Sequence, residues 1–273
     1  MSISVPNWLT QQLDKASLIV NDLSVVTPSG KLCLGIDLGT SNIMSVVLDS
    51  NNQPVAVLMQ WADVVRDGVV LNFHGAVNIV RHQLDSLQNK LGKAFEAANT
   101  SFPPGTDPRI SVNVLEAAGL HISAVVDEPS AVAALLDLRN AAVVDIGGGT
   151  TGIAVLKNKK VVYSGDEPTG GHHVSLTIAG HLGISLEEAE ALKINRGEEM
   201  WPVVEPVFEK MADIVRTHLK GYVVDALYLS GGSCSLAGVA KLFQLAFPDL
   251  SVLLPSYPIF LTPMAIAAYH QEA

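Results

Sequence analysis

Two short stretches of the chain place a carboxylate, then glycine, then hydroxyl side chains at the end of an apolar run. The first is Asp37-Leu38-Gly39-Thr40-Ser41-Asn42, the second Asp145-Ile146-Gly147-Gly148-Gly149-Thr150-Thr151. Glycine lets backbone N–H groups converge on an anion without interference from Cβ. Hydroxyls add donors, and a carboxylate can hold Mg²⁺ or its waters. Together, such turns would grip a phosphate chain at both ends. One of them alone also reads as a plain hairpin. Two in matching places, each with Asp two residues ahead of Gly and Thr behind it, argue against hairpins as the whole explanation. A third turn, Leu229-Ser230-Gly231-Gly232-Ser233, lies between a strand and a helix pattern. Its glycines could admit a flat base and a ribose against bare backbone, or form only a tight strand-to-helix turn.

The elements that must carry these turns repeat. Leu32–Asp37, Ile43–Leu48 and Val55–Met59 read as three strands joined by turns, and Ala142–Ile146, Gly152–Leu156 and Val161–Tyr163 repeat the plan 108 residues later, counting Asp37 to Asp145. Two copies of one unit predict two related lobes facing each other. Between the copies, Ala76–Ala98 has an apolar helical face through Val77, Val80, Leu84, Leu87 and Leu91. A second helix is expected at about Asp107–Ala118 and a strand at Ile122–Val126. After the second copy, Ser185 and Glu188 form a capping box. Pro202–Leu219 and Leu236–Phe247 follow as helices, with a strand at Ala226–Ser230 between them. Glu128-Pro129-Ser130-Ala131-Val132-Ala133-Ala134 and Pro263-Met264-Ala265-Ile266-Ala267-Ala268 are small-residue helices able to approach closely, as a hinge crossing requires, though ordinary core helices fit them equally. The first residues stand apart, with Trp8, Leu9, Leu13 and Ala16 on one helical face. They form either a helix packed on its own domain or a docking peptide. The expected divisions are an appendage at 1–29, a first lobe at 30–140, a second at 141–262 and a returning helix at 263–273.

Composition narrows the function classes. The chain has 273 residues, enough for two domains, and 16% charged residues against a usual ~25%. A net charge of −10 makes steering toward a nucleic-acid backbone unfavourable. Cys33 and Cys234 sit in apolar or small-residue surroundings, and reduced thiols are expected. Scattered charges and prolines interrupt every apolar run, and Met1–Thr10 lacks a cationic start, so a soluble, unexported, cytoplasmic protein is expected. His172 and His173 are adjacent and so face differently, without a partner at ligand spacing, and a zinc site is not expected.

With these residues in hand, the chain resembles the actin-like ATPase superfamily, which contains actin, sugar kinases, DnaK-type chaperones, MreB and FtsA. Five blocks occur in the superfamily's order: Gly35–Asn42, Glu128–Leu135, Asp145–Thr151, Leu229–Ser233 and Pro263–Ala268. Arg66-Asp67-Gly68-Val69-Val70 resembles the segment after the third strand of MreB. Gly170-Gly171 resembles the turn closing over the second phosphate loop, and the helix holding Glu190 and Lys193 resembles the one that meets ribose and adenine. On spacing alone, that pair is also an ordinary i,i+3 surface pair. The resemblance implies an α/β fold of the actin-like (ribonuclease H-like) kind, two duplicated lobes each with a mixed sheet flanked by helices. It implies ATP and Mg²⁺ as ligands, with Asp37 and Asp145 on hydrated Mg²⁺. Phosphate, ribose and base would meet Gly39, Thr40, Ser41, Asn42, Gly147, Gly148, Gly149, Thr150, Thr151, Gly170, Gly171, Glu190, Lys193, Gly231, Gly232 and Ser233. Glu128 would orient the attacking water. A DnaK-style peptide clamp is not expected. Arg66 is the basic residue nearest to where chaperones carry a phosphate-reaching lysine, so hydrolysis is expected to be slow. Taken whole, the chain is most similar to a small DnaK-like branch associated with ethanolamine utilization beside a bacterial microcompartment. That similarity implies protein clients or enzymes of that pathway as partners. A filament-forming ATPase and a small-metabolite kinase are the competing expectations.

Overall fold

The computed structural model describes residues 4–66 and 69–270, and for Arg66 and Val69 the backbone alone. Two five-stranded sheets share one plan. The first contains β1 (Cys33–Leu38), β2 (Asn42–Leu48) and β3 (Pro54–Trp61), and then, beyond a two-residue hairpin of β4 (Val65–Arg66) and β5 (Val69–Val70), β6 (Ala97–Phe102) and β7 (His121–Asp127). Their order is β3-β2-β1-β6-β7. The second contains β8 (Ala141–Ile146), β9 (Thr151–Lys157), β10 (Lys160–Glu167), β11 (Ala226–Ser230) and β12 (Ser251–Leu253), in the order β10-β9-β8-β11-β12. In each, an antiparallel meander joins two parallel strands reached by helical crossovers. β1 and β8 begin 108 residues apart, at Cys33 and Ala141, the offset read from the two acidic turns.

The helices sort into layers. α2 (Phe73–Leu91) and α3 (Arg109–Ala117) cover the outer face of the first sheet. α5 (Gly171–Leu182), α6 (Leu186–Asn195), α7 (Gly197–His218) and α8 (Val239–Ala246) cover the outer face of the second. Between the sheets lie α4 (Glu128–Leu135), α9 (Leu261–Ala268) and α1 (Asn7–Ile19). Strand parity then decides where the acids point, because successive side chains leave opposite faces. Leu34, Ile36 and Leu38 enter the outer core of the first half, so Asp37 faces inward. Ala142, Val144 and Ile146 enter the outer core of the second, so Asp145 also faces inward. The two carboxylates are thereby aimed into one central space.

α4 and α9 pack together there, as their small residues allow. Gly35 is needed beneath α9: a Cβ on it would overlap the Ala267 backbone. Asn7–Ile19 forms a packed helix and not a free peptide. Leu9, Leu13 and Ala16 are buried in the central core, Asp14 Oδ1 accepts from Ser256 Oγ at 3.0 Å, and Asn21 hydrogen-bonds the β3 backbone at Val57 and Met59. Lys90, 2% exposed, donates to Ser24 O at 2.9 Å and pairs with Asp22 at 3.5 Å. Trp8 departs from the expected face and is exposed.

Three expectations on the elements need correction. The helix expected over Ala76–Ala98 ends at Leu91, where Gly92 at φ 63° terminates it and donates to Gln88 O, and Ala97–Phe102 is a parallel strand beside β1. The helix expected from Pro202 starts at Gly197, with Pro202 and Pro206 inside it. The helix expected over Leu236–Phe247 begins only at Val239, after Gly238 at φ 103°, and a separate 3₁₀ turn at Gly232–Ser235 precedes it. Asp67, Gly68 and the Arg66 side chain lie outside the described residues. Among the described residues no helix is long and apolar enough to cross a membrane.

Candidate functional site

A cleft of about 570 Å³ opens between the two sheets, and all three glycine turns line it. From the first half come Asp37, Gly39, Thr40, Ser41 and Asn42; from the second Asp145, Gly147, Gly148, Gly149 and Thr150; from the third turn Gly231, Gly232 and Ser233. The first two turns touch: a Cβ on Gly148 would overlap the Ser41 hydroxyl. The third closes against the second. Gly231, at φ 89°, stands where a Cβ would overlap Ile146 O and lie 2.6 Å from Asp145 Oδ1. Ser233 Oγ donates to Gly147 O at 2.7 Å.

Three acids converge on this space. Glu128 enters as the first residue of α4, whose N-terminus Asp127 caps by accepting from Ser130 N at 3.1 Å. Burial, and then the charge of Asp145, push the Asp37 carboxyl up to about 7. Glu128 is held well above its ordinary value by burial, then by Asp37 and Asp145. Burial also raises Asp145, opposed by hydroxyl donors: Thr262 Oγ1, and Ser230 Oγ at 2.7 Å. Mutual repulsion in a cleft of oxygen donors is the electrostatics that a hard divalent cation relieves. Among the described residues no trio of His, Cys, Asp or Glu stands at direct-ligand spacing. The residues present fit a hydrated divalent cation such as Mg²⁺, which Asp37 and Asp145 could hold.

Not every expected residue faces the cleft. Thr151 is fully buried and donates to Thr169 O at 2.6 Å, anchoring the second turn from behind. Gly170 and Gly171 also back that turn: Gly171 N donates to Gly147 O at 2.9 Å and His172 N to Gly148 O at 2.7 Å. Glu190 and Lys193 line the cleft but are bound to one another at 2.7 Å, and Lys193 Nζ also donates to Gly171 O at 3.0 Å. With its side chain 9% exposed, Lys193 belongs to no solvated surface pair.

Residue patterns passed over several contributors. Thr262 and Ser230 hold Asp145, and Ser101 Oγ reaches Asp37 Oδ1 at 3.3 Å. Ser230 lay within the third glycine turn and Thr262 one residue ahead of the last small-residue helix, so both were within reach of the motifs. Ser101 sits on β6, a strand not expected there because the helix over Ala76–Ala98 overran its first two residues. Ile194–Glu199 completes one wall, a stretch with no motif of its own.

This architecture, two sheets of one topology around an acid-lined cleft, is that of the actin-like ATPases. A family model described as MreB/Mbl protein matches residues 59–201, and one described as cell division protein FtsA matches residues 142–265. The ethanolamine utilization protein EutJ of Escherichia coli K12 is 58% identical over 265 residues, 97% of this chain and 95% of that protein. The crystal structure of EutJ from Carboxydothermus hydrogenoformans superposes with a TM-score of 0.90 at 40% identity, covering 95% of this chain and 98% of that one. More remote in sequence, MreB5 of Spiroplasma citri bound to AMPPNP gives 0.68 at 18% identity over 87% of this chain and 95% of its own. The chain belongs to the EutJ family of actin-like ATPases.

Proposed function

We propose that the protein binds ATP with Mg²⁺ in the interlobe cleft, hydrolyses it slowly and uses the nucleotide state to switch its affinity for protein clients in ethanolamine utilization, in the cytoplasm or at a bacterial microcompartment. The single observation carrying this reading is the convergence of Asp37, Asp145 and Glu128 with three glycine turns from both halves in one cleft. The AMPPNP-bound fold relative and the ethanolamine-utilization relatives support the ligand and the pathway respectively.

In this reading the backbone N–H groups and hydroxyls of the two turns bind the phosphates, while Asp37 and Asp145 hold the hydrated ion. A bound Mg²⁺ would supply charge neutralisation for the transferred phosphoryl group, in a class of transfer where positioning and electrostatics supply most of the catalysis. Glu128, at the cleft-facing start of α4, orients the attacking water. The domain divisions expected from the sequence, with lobes at 30–140 and 141–262, are carried as part of this proposal.

Calorimetry with ATP·Mg²⁺ on the wild type and Asp145→Ala tests the ligand. Binding by the first and loss of at least tenfold affinity in the second are expected, and equal heats would overturn the site. Glu128→Ala should keep ATP binding and lose turnover. A pull-down in each nucleotide state tests the switch, which fails if ATP alters no partner's retention, because a ligand moves an equilibrium only by binding its two states unequally. The MreB/Mbl match favours a second reading, nucleotide-dependent filaments, whose sign is ATP-dependent sedimentation at micromolar protein.

A further inference from the structure

One buried oxygen is shared by two donors from different parts of the molecule. Asp145 Oδ2 accepts from Ser230 Oγ at 2.7 Å and from Thr262 Oγ1. Ser230 is the register partner of Asp145 in the second sheet, so that bond lies within one half. Thr262 comes from α9, which packs on β1, β2 and β6 of the first sheet and against α4. The far end of α9 is fastened to the first sheet as well: Asn99 Nδ2 on β6 donates to Ile266 O at 3.0 Å and to Tyr269 O at 2.8 Å. With Ala267 seated directly over Gly35, α9 has no room to approach β1 further. The Thr262 bond therefore crosses between the halves, with its donor carried by the first and its acceptor by the second.

We propose that Thr262 is a positioning residue that makes the cation-holding geometry of Asp145 depend on how the two halves are set against each other. This rests on the Mg²⁺·ATP reading above. With both hydroxyls on Oδ2, the plane of the carboxylate is fixed, and Oδ1 is the oxygen left for the ion's water shell. When the halves rotate apart, Thr262 leaves with α9, and Asp145 keeps a single donor about which it can turn. Outer partners of this kind orient the groups that hold a metal, and losing one typically costs about 10–100-fold in metal affinity. Because the bond joins the two halves, any change in their setting that weakens it weakens ion binding too, and ion binding in turn favours the setting seen here, as linkage requires.

The test is a calorimetric titration of Mg²⁺ into full-length protein holding ATP, repeated with Thr262→Val and Thr262→Ser. Thr262→Val should raise the Mg²⁺ concentration for half-saturation about tenfold, and Thr262→Ser, which keeps the hydroxyl, should restore it to within about threefold. A contribution of Thr262 to packing alone would leave the Mg²⁺ midpoint of the folded Val variant at the wild-type value, and that result overturns the proposal. Gly35→Ala displaces α9 without touching Asp145. It should weaken Mg²⁺ binding in the wild-type background and add nothing to Thr262→Val, whereas full additivity would refute the coupling. Failure of the wild type to bind ATP with any Mg²⁺ dependence would instead overturn the nucleotide reading itself.

Discussion

The two acidic turns share one strand-and-turn plan and are supported very differently. Asp145 has two hydroxyl donors, and the carbonyls behind it at Gly147 and Gly148 are occupied by Gly171 N, Ser233 Oγ and His172 N. Asp37 has one long bond, from Ser101 at 3.3 Å, and its turn meets the second turn through the Ser41 hydroxyl. Similar backbone paths thus produce a heavily braced jaw at Asp145 and a more lightly braced one at Asp37, whose turn is held by Ala62 N donating to Ser41 O at 3.0 Å. The difference shows in the electrostatics: hydroxyls oppose the burial that raises Asp145, while at Asp37 burial and the charge of Asp145 act together and the single Ser101 bond opposes them weakly.

Substitutions that strike one jaw and spare the other sharpen this contrast. The largest effect should come from Gly170→Ala, whose Cβ would lie 2.8 Å from Gly148 O and Gly149 C and 2.9 Å from Gly147 O, all backbone atoms with no room to yield. Overpacking of this sort costs about 1–3 kcal/mol, and nucleotide affinity should fall by about 30-fold or more. Gly39→Ala on the other jaw meets only Asn42 O, at 3.0 Å, and should cost a few-fold. Equal losses in the two variants, read by calorimetry and thermal melting, would erase the distinction.

Next in size is a pH effect. A carboxyl whose folded value lies near 7, above its unfolded value near 4, binds more protons folded than unfolded across that interval. Stability without ligand is then fully present below about pH 4 from this group and is lost as pH rises toward 7. Asp37→Asn removes the loss, so its melting temperature at pH 8 should exceed that of wild type by a few degrees, with the gap closing at pH 5. Asp145→Asn, which disturbs two hydroxyl bonds, should melt lower at both values.

The smallest effect is expected from Thr151→Val, which deletes the bond to Thr169 O behind the braced turn. About 1 kcal/mol of stability should be lost, with nucleotide affinity changed less than threefold. A larger change in affinity would place Thr151 in contact with ligand after all.

Much of this arrangement was legible in the chain because it is written in turns. The Asp-x-Gly pairs, the 108-residue repeat and the Pro-Ala helices each follow from local backbone rules, and the cleft they imply is the one observed. What escaped notice depends on contacts far apart in sequence. Ala97–Phe102 holds Ala, Asn, Thr and Ser, a composition without strand alternation, and it becomes a strand because β1 and β7 flank it. Lys193 resembles a ligand-facing residue by position, yet only the folded chain shows its ammonium committed to Glu190 and Gly171 O. The role of Thr262 was hidden for the same reason, since its acceptor lies 117 residues away.

The seating of α1 has a practical corollary for anyone who handles this protein. Leu9 and Leu13, at 1% and 0% exposure, wedge between the two sheets, and Lys90 latches the chain that follows at Ser24. Each buried leucine is worth about 1.5–3 kcal/mol, so trimming the leading residues would lay bare the middle of the molecule instead of shortening a tail. A purification handle or fluorescent fusion placed at that end would hang from a helix packed on β3 and the turn at Pro258–Phe260, and any motion recorded through it would report that packing as well as the cleft.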